Sequence, residues 1–373
     1  MQLPCLLTAL IFILVGQPVT AWSQVISAQT GYKDFSINGK TILLQSKSGK
    51  LKLIKGVTNK QPLVLTTDAP IVASAIDREG NIVVGDTNHF IKSFDEHQKT
   101  WHTIGSYTDK LSSIVFDKKN QCFLITNKGI VDFQSNTLYF PDSSFSQNKQ
   151  IRYTGSWFDS PVCFLDSRDK LWLGFDQGEW GGNVYVFNTQ ERAFIRLNTK
   201  EADMELNPVN GFCEDQQNVY MSGGLSHIML THGSIYRFTN EIATPVLLSK
   251  DKETPMEFLM NDPLTGKKSK QIGITWKGGH RIGPSAYNPT NNCLYFYSQF
   301  GIFNAKLGTN LADIKKWQKV FEPKLQWTGG SRYAAGPAMN VLKMQFTADG
   351  TLLFLTEHNG LGVFDGKSLR FIQ

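Results

Sequence analysis

The sequence predicts an all-β fold, a seven-bladed β-propeller of four-stranded antiparallel blades, on three observations. First, one strand–turn–strand cadence recurs: IVASAIDREGNIVVGD (71–86), LSSIVFDKKNQCFLIT (111–126), SPVCFLDSRDKLWLGF (160–175), VNGFCEDQQNVYMSGG (209–224), GPSAYNPTNNCLYFYS (283–298) and VLKMQFTADGTLLFLT (341–356), with a degenerate first copy at YKDFSINGKTILLQS (32–46). Self-similarity of this kind marks ring or solenoid architectures. Second, apolar residues within the strands alternate with a period near two. Third, helical patterns are almost absent, and LADIKKWQKVF (311–321) is the best candidate for a helical turn.

Taken in order, the copies are followed by two further strands: FIKSFD and TWHTIG, GIVDFQ and NTLYFP, NVYVFN and AFIRLN, GLGVFD and LRFI. Units of about 50 residues result, near 30–68, 69–107, 108–145, 157–199, 207–250, 282–321 and 339–373, within a single domain over 24–373. A four-stranded unit cannot bury both faces alone. Packing blade on blade around an axis does so, and closure protects the edges. The first and last units each hold four strands, so closure by whole-blade packing or by a small strand exchange is expected.

The chain opens MQLPCLLTALIFILVGQPVTAWSQ, an apolar run from Cys5 to Gly16 followed by small residues. This reads as a signal peptide over 1–23, cleaved between Ala21 and Ser23 and too short to span a bilayer. No second apolar run approaches about 18 residues. The mature protein is expected to be exported, periplasmic or extracellular, with no membrane span. The absence of an acceptable Asn-x-Ser/Thr sequon fits a bacterial exported protein. Cys122, Cys163, Cys213 and Cys293 all fall in predicted strands, without CxxC or zinc spacing, and read as small buried apolar side chains. The net charge of +6 is dispersed, and its densest cluster, KKSK at 267–270, reads as a solvated loop. With neither basic stripe nor reader motif, nucleic-acid binding is not expected.

LDSRDKLWLGF (165–175), echoed by IDREGNIVVGD (76–86) and FTADGTLLFLT (346–356), resembles the bacterial two-component regulator propeller repeat, in the broad class with WD40-like and YVTN-like propellers. The Gly-His and Trp-Asp signatures of WD40 proper are missing. The resemblance implies the propeller architecture and, through the usual setting of that repeat, a sensor role. Function itself has to come from a site.

The turns between first and second strands are short and uniform: REG, KKNQ, SRDK, DQQN, TNN, ADG. The extra length falls in the connections that share the opposite face: 141–160, 249–283 and 322–340, with the inner turns DQGEWGG (176–182) and GGLSHIMLTHG (223–233). Long loops in a compact fold are usually functional or disordered. A cleft is therefore expected over the fourth to seventh units. Trp157, Asp159, Trp180, His227, Trp276, Trp327 and Tyr333 are the candidate ligand-binding residues, offering rings for stacking and polar groups for orientation. For any one Trp the simpler role is anchoring a loop to a blade. For chemistry, His280 with Arg281, Arg332, and the carboxylates Asp176 and Glu179 offer a base, a charge-stabiliser and an acid–base pair. Asp159, Asn207 and Asn340 fall at corresponding positions near the channel mouth. Their oxygens could hold Ca²⁺, although Lys110 and Arg281 at the same level oppose a cation. No other cofactor is predicted. The sequence thus leads to a binding propeller for a carbohydrate or peptide, alternatively a lyase or hydrolase acting on an anionic sugar or lactone. Its oligomeric state is unspecified.

Overall fold

The computed structural model describes residues 31–56, 62–157, 159–204, 207–227, 230–261, 263–326 and 339–373. The segment 1–23 lies outside these, as do Trp327, Arg332 and Tyr333. The described chain forms seven four-stranded antiparallel sheets in simple sequential order and one two-stranded sheet. The seven sheets are the blades of the expected propeller. They span 32–65, 71–106, 111–139, 162–195, 209–250, 282–321 and 341–372, numbered 1 to 7, each with strands A to D in chain order.

Burial follows position in the blade. Strand A of blade 2, Ile71–Ile76, alternates buried and half-buried residues, as IVASAI implies. Strand B does not alternate: Ile82–Asp86, Cys122–Thr126 and Leu352–Thr356 are buried at every residue. The reason is that a B strand has a neighbouring blade on each face. Val83 packs with Leu111 and Leu124 of blade 3, while the next residue, Val84, packs with Leu43 and Leu51 of blade 1. Strand D is peripheral, and Thr100–Ser106 contains no fully buried residue. The glycine in VVGD and in WLGF has a packing role. A Cβ on Gly85 would lie 2.3 Å from Leu111, and one on Gly174 would lie 2.4 Å from Val209. Each seats the first side chains of the next blade's A strand.

The ring closes by packing of whole blades. Tyr32, Phe35 and Leu44 of blade 1 share a core with Leu353, Leu355 and Leu361 of blade 7. Lys343 Nζ donates to Asp34 Oδ1 at 2.8 Å, and Lys52 Nζ donates to the Gln373 carbonyl at 2.7 Å.

The A–B turns explain the recurrent Asp. Asp77 Oδ1 accepts from the Glu79 and Asn81 amides at 2.9 and 2.8 Å, and Asp117 Oδ1 does the same for Lys119 and Gln121. In blade 4, Asp166 accepts from the Arg168 and Lys170 amides and from Trp172 Nε1 at 3.0 Å. These acids are buried, and each satisfies donors that a tight turn would otherwise strand.

Two connections differ from expectation. The 249–283 stretch is not a loop: strands Lys252–Asn261 and Lys268–Lys277 pair in ten registered positions as a projecting hairpin. The 223–233 turn is an extension of blade 5, whose strands Val219–His227 and Leu230–Thr239 pair out to His227 and Leu230. The expected turn in 311–321 is a single 3-10 turn, Ile314–Lys316, capped by Asp313. The four cysteines are unpaired thiols, and burial pushes Cys122, Cys163 and Cys213 up to about 12. Among the described residues no helix is long and apolar enough to cross a membrane.

Candidate functional site

The B–C turn of blade 4 forms one wall of the mouth. Strand Lys170–Asp176 ends in a 3-10 turn, Gly178–Trp180, before strand Gly182–Asn188 begins. Asp176 Oδ1 accepts from the Gly178 amide at 2.8 Å. Gly178 and Gly181 take positive φ (56° and 84°), which favours glycine at both. The turn is sealed from behind, because a Cβ on Gly182 would lie 2.2 Å from the Asn207 carbonyl. Asn148 Nδ2 donates to the Trp180 carbonyl at 2.9 Å. The Trp180 backbone is thus fixed while its side chain is 57% exposed. Glu179 is exposed on the same turn.

Asp176 meets blade 6 electrostatically. Burial raises its carboxyl pKa; the Gly178 amide and the Arg281 guanidinium oppose that shift, and Asp159 adds to it. Arg281 is 7% exposed. Burial depresses its pKa, and Asp176 and Tyr297 act against that. Its backbone is held by its own amide donating to Gln299 Oε1 at 2.9 Å, while Gln299 Nε2 donates to the Gly279 carbonyl. Arg281 Nε, the Tyr297 hydroxyl and Gln177 Nε2 are buried without a hydrogen-bond partner among the described residues. Buried polar atoms are nearly always satisfied. Gln177 lines a small separate pocket with Trp157, whose Nε1 is likewise unpartnered, and Tyr185, whereas Arg281 and Tyr297 interact with each other and offer donors to an acceptor-rich ligand group, next to the Asp176 carboxylate.

The other candidates separate. His280, adjacent to Arg281, is caged by Phe296, Phe300 and Phe303 at 6.1, 5.0 and 5.1 Å between ring centroids. Burial lowers its pKa to about 4, and Nδ1 lies 3.2 Å from Ser298 Oγ. It does not share the Asp176–Arg281 environment. Trp157 is 6% exposed and packs with Tyr153, Phe175 and Tyr185 in a blade-interface core. It therefore anchors the 141–160 connection, as does Tyr153, whose hydroxyl donates to the Lys128 carbonyl at 2.7 Å. Trp276 lies on the projecting hairpin, 36% exposed and paired with Glu253. For His227 the structure gives only its strand position, opposite Leu230.

Of the three oxygen donors, Asp159 is exposed and accepts from Ser160. Asn207 is engaged: Oδ1 accepts from Ser234 Oγ at 2.7 Å, and Nδ2 donates to the Asp203 carbonyl. Asn340 is buried, and its carbonyl accepts from the Glu357 amide. Among the described residues no group of three or more His, Cys, Asp and Glu is placed to hold a metal.

Sequence reasoning missed Tyr297 and Gln177. Tyr297 stands in CLYFYS, where it reads as one more core aromatic, and only the unpartnered hydroxyl distinguishes it. Also missed was Lys33, whose Nζ donates to the Val72 carbonyl at 2.8 Å and which feels both Asp34 and Lys110. A separate cavity of about 380 Å³ opens on the opposite face between blades 1 and 2, lined by Asn38, Lys40, Lys55 and Glu96 among others.

No family model matches the chain, and no curated protein matches it. Solved structures do. PorZ, a bacterial surface component of the type-IX secretion system of Porphyromonas gingivalis, superposes with a TM-score of 0.54 at 13% identity, over 90% of this chain and 46% of its own. An extracellular domain assigned to a hybrid two-component system of B. thetaiotaomicron gives 0.53 at 14% identity, over 93% of this chain and 39% of its own. U3-55K gives 0.51 at 11% identity, over 88% and 89%. This chain spans less than half the length of the first two. At these identities the likeness is one of fold.

Proposed function

We propose that this chain is an exported binding propeller that recognises a carbohydrate or peptide through the mouth face over blades 4 to 6. The observation that carries the reading is the pair of unpartnered buried donors, Arg281 Nε and the Tyr297 hydroxyl, in the field of Asp176, whose turn presents the open Trp180 ring. An aromatic platform with a few oriented polar groups is the usual make-up of such a site. Export agrees with the apolar leader at 5–16, and two of the fold neighbours are by name a surface component and an extracellular domain.

Binding is favoured over catalysis by the placement of His280. A general base must reach the proton it takes, and this imidazole is enclosed by three phenylalanines, apart from Arg281 and Asp176. The test is a parallel screen of the mature chain on a glycan array and a peptide library, followed by calorimetry of any hit against the W180A and R281M variants. Affinity for one class that falls in both variants is the expected result. No binding in either class sinks the reading, and turnover of a bound uronate or lactone replaces it with an enzyme on the same face.

A further inference from the structure

The hairpin 252–277 stands outside the blade architecture and needs its own account. Its strands are ten residues long and nearly all exposed. An isolated two-stranded hairpin is marginally stable in water at best. This one also displays apolar side chains in every direction. By register, Met256, Phe258 and Met260 lie on one face, and Leu259, Ile272 and Ile274 on the other. The outer half of the arm is open: Leu259 is 65% exposed, Ile272 78% and Leu264, in the turn, 95%. Lysines 267, 268 and 270 cluster at the same end, and Lys270 pairs with Glu257 at 3.1 Å.

The edges of the arm are guarded against strand addition. Pro255, which offers no N–H, sits in one edge strand, and Lys268, Lys270 and Lys277 stand in the other. Edge prolines and lysines are the usual protection against pairing, and a second copy would set lysine against lysine. Docking on a flat protein surface would cover one face and leave the other in water. A medium that surrounds the tip, receives apolar side chains on all sides and carries negative charge fits both faces and the lysines together. The unpaired edge amides exclude the hydrocarbon core and restrict the arm to the headgroup layer.

We propose that the tip of this hairpin, residues 259–261 and 263–272, is a docking element for an anionic lipid surface. It holds the ring at a membrane through Leu259, Leu264 and Ile272, with Lys267 and Lys268 on the headgroups. Apolar burial and lysine–headgroup attraction act together in such peripheral contacts. The proposal is independent of the mouth-face ligand.

The test is co-sedimentation of the mature chain with vesicles of phosphatidylcholine alone and of phosphatidylcholine mixed with phosphatidylglycerol. The expected result is salt-sensitive binding to the anionic vesicles. It should weaken roughly fivefold for each lysine removed in K267Q and K268Q and be lost in the double variant L259S/L264S. The thermal transition should not change, because these side chains support no blade. Absence of binding to anionic vesicles overturns the proposal, as does equal binding by the wild type and L259S/L264S. A dimer in light scattering that dissociates in L259S/L264S also overturns it, by giving the arm to a second copy.

Discussion

The two faces of the ring differ in where they leave buried polar atoms without a partner. On the face of the A–B turns, Asp77, Asp117 and Asp166 are buried, and each accepts at least two hydrogen bonds from its own turn. On the mouth face, Arg281, Tyr297 and Gln177 hold buried atoms without partners among the described residues. A satisfied buried group contributes to architecture. An unsatisfied one costs free energy unless a ligand answers it. The contrast separates residues that build the propeller from residues that equip it, and substitutions on the two faces should differ in size.

The largest effect is expected on the turn face. Asp166→Ala strands two backbone amides and the indole N–H of Trp172, which is 1% exposed. At ~1–3 kcal/mol for each buried unsatisfied donor, the loss should be about 3–5 kcal/mol, measured by chemical denaturation. A loss below ~1 kcal/mol would mean that the recurrent Asp is not the turn's anchor.

A pH scan examines the mouth face. Burial lowers the His280 pKa from 6.5 to about 4. In that interval the unfolded chain binds a proton that the folded chain refuses. The contribution is therefore fully present above pH 6.5 and is lost as pH falls toward 4. At ~1.4 kcal/mol per unit, discounted for partial exposure, the loss is about 2–3 kcal/mol. His280→Phe, which keeps a ring within the phenylalanine cage, should flatten this part of the stability curve. An unchanged slope would place the imidazole in solvent, where it could serve as a base.

Arg281→Met should cost less than Asp166→Ala. It removes a buried cation whose Nε has no partner among the described residues, but it also takes from the half-buried Asp176 the charge that opposes its burial. A loss below ~3 kcal/mol is expected, since Asp176 is only partly buried, while mouth-face binding falls. A loss as large as that of Asp166→Ala would make Arg281 a structural residue and erase the contrast between the faces.

The same contrast explains what was legible in the sequence. Turn-capping acids repeat with the blades, so the cadence DREG, DKKN, DSRD disclosed them, and with them the blade count. The mouth residues do not repeat. Asp176 and Trp180 were visible because DQGEWGG exceeds the needs of a turn, whereas Tyr297 was hidden inside a core strand. His280 shows the converse. Beside Arg281 it reads as a catalytic pair, but both residues lie in the connection just before strand Ile282–Asn288, where His280 enters a ring cage while Arg281 meets Asp176. The 249–283 arm was read as a loop because its apolar residues serve both faces, which blurs the period-two pattern that marks a half-buried strand.

Trp180→Ala should have the smallest effect on folding and is the sharpest test of the comparison. The side chain is 57% exposed, and the turn is held through its backbone by Asn148 and Gln177 rather than through the indole. Exposed positions of this kind usually shift stability by no more than ~0.5 kcal/mol. Trp157→Ala supplies the control, because that ring packs on Tyr153, Phe175 and Tyr185 and its loss should cost about 3–5 kcal/mol. If the mouth face is a binding surface, the two tryptophans divide the work: Trp157 supports the fold, and Trp180 supports affinity by offering a ring for stacking. Equal destabilisation by the two substitutions, with no change in ligand affinity at Trp180, would return the DQGEWGG turn to architecture and leave Arg281 without a companion.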